Sequence, residues 1–438
     1  MTEARQSTDE GLVRSMGIWP LGANIVNMVI GAGIFTLPGI VASLLGPAAI
    51  LAYLVCAGVV ALVFLCFAEA GSRVTRSGGA YAYIEEAFGP FAGFVASTLL
   101  WLGWSVLSDA AIAVAMVETL AIGFPLLDTP MVRAGFLVLL FGLLGLINIA
   151  GLKSGVKLFV FNTIAKLIPL VLLAAVGLFV VNFDNLAIDY WPTIEDFGVA
   201  ALILFFAFAG AETALSPSGE IVNPSKTIPR GLLLGISGIF ILYVALQTVA
   251  QGTLGPALAD NTEAPLVETA RVVLGDWGAS LLLIGGVISI FGTLSGDVLT
   301  TPRVIFAAAR DGLLPGALAR VHPKYRTPHV AILFYVVVGC AFALSGTFRQ
   351  LAVVASGSIL LVYLGVSLAV IRLRRRDGNP GPGEFRIPGG ATVPVLSSVV
   401  VVWLLSQMTA GEAIGLGALL AFAVAVYLAG LVYRRKWG

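Results

Sequence analysis

Four ionisable side chains lie inside long apolar stretches of this 438-residue chain: Asp109, Lys166, Glu212 and Asp297. An isolated charge in apolar surroundings is costly, so such a group usually pairs with another charge, binds a ligand or exchanges a proton. Glu212 fits two interpretations equally well, as an acceptor of hydrogen bonds from free backbone N–H groups or as a group that binds and releases a proton. Asp297 could pair with a cationic or polar group or form a hydrogen bond to a neighbouring helix, and the hydrogen bond is slightly favoured because nothing in the sequence identifies a partner group.

Metal and redox chemistry find no support in the sequence. Cys56 and Cys66 lie ten residues apart in one apolar stretch, which is about 15 Å on a helix and too far for a disulfide. We interpret both, and Cys340, as small buried hydrophobic residues. The two histidines occupy a polar loop, so we expect neither a metal site nor a cofactor.

The composition determines which elements must position these residues. Hydrophobic residues make up 58% of the chain and charged residues 11%, against about 45–50% and about 25% in soluble domains. This composition excludes a soluble enzyme and a disordered chain, and a net charge of +1 argues against nucleic-acid binding. The apolar stretches do not alternate, as strands of an outer-membrane barrel would. The sequence therefore predicts an all-α, polytopic membrane protein in a lipid bilayer.

Twelve transmembrane helices are predicted, and polar or Gly/Pro-rich segments separate them. Their predicted starts lie near Gly17, Pro47, Ala87, Met131, Lys153, Glu195, Pro229, Asp276, Pro328, Phe348, Gly390 and Gly411. With the N-terminus inside, 21 of the 25 Lys and Arg residues fall in inner segments. The three on the outer side are Arg133, Arg271 and Arg349, and Lys166 lies within a helix. The bias of Lys and Arg toward inner loops predicts that both termini are cytoplasmic.

Two of the predicted helices share an internal pattern. Gly31-Ala32-Gly33 precedes Pro38 in the first helix, and Gly210-Ala211-Glu212 precedes Pro217 in the sixth. The two helices run in opposite directions, which is typical of inverted repeats whose first helices are broken. The alternative is that the glycines only allow close helix packing. We predict a tail over 1–16, repeats over 17–194 and 195–376, and two further helices over 377–438.

A break of this kind has a chemical use. It exposes N–H groups at the start of one half-helix and C=O groups at the end of the other. The N–H groups suit a carboxylate, and the carbonyls suit an ammonium group or a cation. The small residues Gly31, Ala32 and Gly33 would let a ligand approach the main chain.

Lys166 lies about 16 Å along its helix from the predicted inner edge of the membrane. A lysine at such depth costs roughly 2.5–3.5 kcal/mol on insertion scales, and its side chain is too short to reach the surface. The sequence therefore favours a functional role for this residue over snorkelling.

With these motifs the sequence resembles the amino acid–polyamine–organocation (APC) superfamily of amino acid permeases. The resemblance rests on the stretch 31–35 with Pro38-Gly39, on Gly210-Ala211-Glu212, and on Pro302-Arg303 with the segment 309–315. It covers at least residues 17–376. It implies the five-plus-five inverted-repeat fold of the leucine-transporter type, with broken helices one and six.

The resemblance also implies a ligand site at mid-membrane. The substrate carboxylate would meet the N–H groups of Ala32 and Gly33 beside Gly31. The ammonium group of the substrate would meet the carbonyls of Val29, Phe206 and Ala209. Trp104 resembles a residue that lines the site, and with Phe206 it would cap the pocket. Asp297 would face the substrate side chain.

In some family members a lysine replaces the sodium ion of sodium-coupled relatives, and Lys166 matches that position. The expected function is secondary active transport of amino acids across the cell (inner) membrane, independent of sodium, with Glu212 as a gate. If Lys166 lost its proton during the cycle, transport would be coupled to protons. If it stayed charged, a counter-substrate amino acid would drive exchange. The sequence selects neither mechanism, and it selects no substrate and no oligomeric state.

An intramembrane protease is the alternative from a different class of function. Asp109 and Asp297 could be the acid and base of an intramembrane aspartyl protease. However, Leu294 stands where a Gly-x-Gly-Asp motif needs glycine, and Asp109 follows Ser108 rather than a tyrosine. The inverted repeat has no role in that chemistry, so a transporter is favoured over an enzyme. No continuous polar stripe along a helix supports a channel.

Overall fold

A computed structural model describes residues 16–74, 78–151, 156–215, 221–310, 312–378, 381 and 384–437. Predictions for the N-terminal tail up to residue 15, for Lys153 and for Pro217 concern residues outside these ranges. Within these ranges, every regular secondary-structure element is a helix. Met16 and Ile221 form an isolated parallel β-bridge.

Sixteen α-helices follow one another along the described chain. The first eight are α1 Ile18–Val29, α2 Gly33–Leu45, α3 Ala49–Arg73, α4 Ala80–Phe88, α5 Pro90–Thr98, α6 Leu107–Ala121, α7 Pro130–Ile149 and α8 Val156–Gly177. The remaining eight are α9 Ile194–Phe208, α10 Pro224–Leu254, α11 Pro265–Leu274, α12 Asp276–Arg310, α13 His329–Ser345, α14 Phe348–Asp377, α15 Thr392–Leu405 and α16 Ala410–Trp437. A π-helical segment, Leu99–Val106, joins α5 to α6.

Eight helical segments of the described chain are long and apolar enough to cross a membrane. Four shorter apolar helices, of 10–17 residues, accompany them. Helices satisfy their own backbone hydrogen bonds, which is what a lipid interior demands. Large apolar side chains such as Leu139, Ile241 and Val337 point outward and are more than half exposed. The predicted multi-pass α-helical membrane protein is confirmed at this level.

Three local features differ from the prediction. Helix α10 begins at Pro224 instead of near Pro229, because Asn223 adopts a left-handed conformation and proline occupies the first turn. The short helices α4 and α11 were not predicted, since nine and ten residues are too few to form a span. The π-helical turns could not be read from an apolar sequence without periodicity.

The two predicted interruptions lie against each other. Helix α1 ends at Val29 and α2 begins at Gly33, while Ala209 and Gly210 follow α9 in extended and positive-φ conformations. A Cβ atom on Gly210 would lie 2.9 Å from the carbonyl oxygen of Met28. Only glycine permits both this φ of 118° and this close approach.

Candidate substrate and coupling site

The carbonyl groups at the end of α1 receive hydrogen bonds from two other helices. Lys166 of α8 donates from Nζ to the oxygens of Asn27 at 2.5 Å and Ile30 at 2.7 Å. Tyr243 of α10 donates to the oxygen of Val29 at 3.3 Å. The last carbonyls of a helix have no partner within the helix, so these side chains compensate for the interruption.

Lys166 is fully buried and belongs to a second contact between α8 and α1. The hydroxyl of Thr163, one turn earlier, donates to Oδ1 of Asn27 at 2.8 Å. No carboxylate of the described residues pairs with Lys166. The ammonium group therefore stands where backbone oxygens would otherwise attract a cation, and its role in coupling stays a prediction.

The N–H groups at the start of α2 face a different environment. No described residue accepts a hydrogen bond from the N–H of Gly31, Ala32 or Gly33. A Cβ atom on Gly31 would find no atom within 4 Å. Open space beside unpaired N–H groups at a helix N-terminus can accommodate an anion such as a carboxylate.

Glu212 follows the second interruption and is held on both sides. Its Oε2 accepts a hydrogen bond from the N–H of Gly210 at 3.0 Å and another from the hydroxyl of Tyr363 on α14. Oε1 has no partner among the described residues. This geometry matches the interpretation of Glu212 as an acceptor for a freed N–H group. It does not test the alternative that Glu212 acts as a gate.

The main chain around Ala209 belongs to the same site. The carbonyl of Ala207, two residues earlier, accepts a hydrogen bond from Tyr243 at 3.1 Å. The hydroxyl of Tyr243 thus bridges both interruptions, because its single proton is shared between the carbonyl oxygens of Ala207 and Val29. The predicted ammonium-binding carbonyls lie around this bridge, and their contact with a substrate stays a prediction.

Three aromatic rings form a cluster near the end of α9. The ring centroid of Phe206 lies 5.6 Å from that of Trp104 and 5.7 Å from that of Phe348 at the start of α14. Trp104 belongs to the π-helical segment, a local geometry that is common at functional sites. The structure therefore places Trp104 beside Phe206, and the predicted capping of a pocket by these two rings stays a prediction.

Asp109 and Asp297, which are far apart in sequence, also meet. Asp109 on α6 is fully buried and accepts a hydrogen bond from Tyr335 of α13 at 2.8 Å. The carboxyl group of Asp297 on α12 lies within hydrogen-bonding reach of it. The predicted contact of Asp297 with a substrate side chain stays a prediction.

Three tyrosines of this region are not among the residues predicted from the sequence: Tyr243, Tyr335 and Tyr363. Each is fully buried and donates from its hydroxyl to an oxygen that an interruption or a carboxylate provides. Buried tyrosines usually find a hydrogen-bond partner. Each of these tyrosines is an isolated polar residue in an apolar helix, and this is the sequence signal that could have indicated a buried hydrogen bond.

Comparison with known proteins identifies the family. The amino acid permease family matches residues 16–430. The chain is 27% identical to the methylthioribose transporter of Bacillus subtilis, over 99% of this chain and 96% of that protein. It is 29% identical to the serine/threonine exchanger SteT of the same organism, over 97% and 96%. It is 26% identical to the branched-chain amino acid permease BcaP of B. subtilis, over 92% and 90%.

The family match confirms the resemblance seen in the sequence and the expectation of a transporter rather than an enzyme. Asp109 and Asp297 do lie together, as the protease alternative requires, but the proteins of this family carry substrates instead of cleaving them. On this match over residues 16–430, the chain belongs to the amino acid permease family.

Proposed function

We propose that the protein is a secondary active transporter that moves amino acids across the cell membrane by alternating access. The observation that carries this proposal is the pair of adjacent interruptions. It offers unpaired N–H groups at Gly31, Ala32 and Gly33 beside carbonyl groups that end α1 and α9. An α-amino acid carries one charge for each of these groups, so its backbone alone can occupy the site.

The proposed architecture has twelve spans with both termini in the cytoplasm. The pair α1 and α2 forms the first span, and α9 with the segment after it forms the sixth. Residues 17–194 and 195–376 are the two inverted repeats, between the tail 1–16 and the last two helices in 377–438. In this orientation the cluster of Trp104, Phe206 and Phe348 would lie on the extracellular side of the substrate site and would close the site on that side.

The substrate class is an amino acid with free carboxylate and ammonium groups. Two of the relatives are named for serine and threonine or for branched-chain amino acids, which supports neutral side chains. The aromatic rings of Trp104 and Phe206 would then pack against the side chain or cover it. A carboxylate at Asp297 would be available for a polar side chain.

We propose that transport is independent of sodium because Lys166 fills a cation position. Its ammonium group contacts the carbonyls of Asn27 and Ile30, and a tethered cation there leaves no vacancy for a free one. The coupling is then either to protons or to a counter-substrate amino acid. Glu212 would gate the passage through its bonds to Gly210 and Tyr363.

Uptake into proteoliposomes tests this function. Purified protein is reconstituted with and without internal amino acid, and uptake of a panel of radiolabelled amino acids is measured in sodium and in choline buffers. We expect uptake of at least one amino acid, at the same rate in both buffers. Absence of uptake for the whole panel would contradict amino acid transport, and a requirement for sodium would contradict the role of Lys166.

The variant Lys166→Ala tests the tethered cation directly. It leaves the carbonyls of Asn27 and Ile30 without their donor, so we expect a strong loss of transport in the same assay. Lys226→Ala is the matched control, because Lys226 is an exposed lysine on α10. Full activity in Lys166→Ala would show that the lysine is not the coupling cation.

A further inference from the structure

The carboxyl pair of Asp109 and Asp297 is not needed to hold the carboxylate and ammonium groups of the proposed substrate. Asp109 lies on α6 and Asp297 on α12, and these helices pack against each other and against α13. Asp109 is fully buried, whereas Asp297 keeps partial exposure. Asp297 is therefore the more exposed residue of the pair.

The hydrogen bonds around the pair are incomplete. Oδ2 of Asp109 accepts from Tyr335, but no donor of the described residues reaches Oδ1. The hydroxyl of Tyr335 also interacts with Thr301, which lies one turn after Asp297 on the same face of α12. The carboxyl group within hydrogen-bonding reach of Asp109 is that of Asp297. Two carboxylates cannot donate to each other, so a hydrogen bond between them requires a proton on one of the two carboxyl groups.

The surrounding charges favour the same conclusion. Tyr335 faces the pair from α13, and Glu212 interacts electrostatically with Asp297 from the segment after α9. No Lys or Arg of the described residues acts on either aspartate. With like charges nearby and no compensating cation, two adjacent carboxylates hold one proton between them.

We propose that the Asp109–Asp297 pair binds the proton that is transported together with the amino acid. This inference rests on the proposed transport function and selects proton symport over exchange. The proton enters through Asp297, the more exposed residue of the pair, and is shared with Asp109. After the alternating-access change it leaves through Asp297 to the other side of the membrane. Only an O–H bond forms and breaks, and the charge of the pair changes from −2 to −1 and back. Lys166 then remains a fixed cation throughout the cycle.

The experiment compares two measurements on the same proteoliposomes. The first is exchange of labelled for unlabelled amino acid at equal pH, and the second is accumulation driven by an imposed pH gradient. A gradient of about one pH unit can drive roughly tenfold accumulation when one proton moves with each substrate molecule. A pH-sensitive dye inside the vesicles reports whether protons enter with the amino acid.

In Asp109→Asn we expect the ratio of proton-driven accumulation to exchange to fall by most of that roughly tenfold factor. Glu118→Gln is the matched control, because it neutralises another carboxylate of α6 that is paired with Arg133 at 3.0 Å. Its ratio should equal that of the wild type. An unchanged ratio in Asp109→Asn, or wild-type protein that exchanges amino acids but ignores the pH gradient, would overturn the proposal.

A second variant keeps both carboxyl groups. Tyr335→Phe removes the hydroxyl that stabilises a charged Asp109, so the pH profile of proton-driven uptake should move to higher pH. A profile identical to the wild type contradicts the proton site even if Asp109→Asn does not fold. Failure of every amino acid to exchange in the wild type would instead count against the transport function itself.

Discussion

Gly31 and Gly33 belong to the same interruption but meet different surroundings. A Cβ atom on Gly31 would enter open space, whereas one on Gly33 would lie 2.9 Å from Cα of Ala207. Gly31 thus borders the space proposed for the ligand, and Gly33 allows α2 to pack against α9. The sequence pattern treats the two glycines as equivalent, and only the packing separates their roles.

At the scale of single residues, we predict that Gly31→Val abolishes substrate binding while the protein remains monodisperse and as thermally stable as the wild type. Gly33→Val should lower the unfolding temperature, because forcing extra atoms into a packed contact costs about 1–3 kcal/mol. Binding is measured with labelled amino acid in detergent, and unfolding is followed by size-exclusion chromatography after heating. Wild-type affinity in Gly31→Val would contradict the backbone site.

At the scale of secondary-structure elements, arginines at the end of α14 form ion pairs with α3 and α4. Arg374 binds Glu69 of α3 through Nε at 2.6 Å and through a second nitrogen. Glu69 is fully buried and also accepts from the N–H of Ile387 at 2.9 Å. Arg376 pairs with Glu86 of α4 at 2.8 Å, where both side chains are more than 40% exposed. The same helix end therefore carries one buried and one exposed ion pair.

The two ion pairs should differ in their contribution to stability. Glu69→Gln leaves the charge of Arg374 without its partner in a buried position, which typically costs about 3–5 kcal/mol. Glu86→Gln breaks an exposed pair, which is worth about 0–1 kcal/mol. Heating each variant in detergent should therefore lower the unfolding temperature of Glu69→Gln far more. Equal shifts in both variants would show that the buried pair does not hold α14 to α3.

At the scale of the whole molecule, the distribution of Lys and Arg predicts the orientation in the membrane. Arg349 lies in one of the few basic positions on the proposed outer side, and Arg320 lies on the inner side; both are exposed. In a Cys340→Ser background, Arg349→Cys should react with an impermeant maleimide in intact cells. Arg320→Cys should react only after permeabilisation. The remaining cysteines, Cys56 and Cys66, are buried and should stay silent. The reverse labelling pattern would contradict cytoplasmic termini.

Much of the helical organisation is predictable from the sequence, for a reason that lies in the solvent. Long apolar stretches must form helices in lipid, because no other partner exists for their backbone groups. The predicted starts near Glu195, Asp276 and Phe348 agree with α9, α12 and α14 to within a residue. At α9, Thr193 and Asp196 form a capping box that marks the start in the sequence itself.

The contacts that make the site depend on packing between distant parts of the chain. Lys166 and Asn27 are separated by 139 positions, and Tyr335 and Asp109 by 226. Local composition and periodicity carry the depth of a lysine and the presence of a glycine break, because both are properties of one helix. Which carbonyls the lysine meets, which aspartate finds a partner and which glycine faces open space depend on how the helices pack, and no single stretch of sequence contains that information.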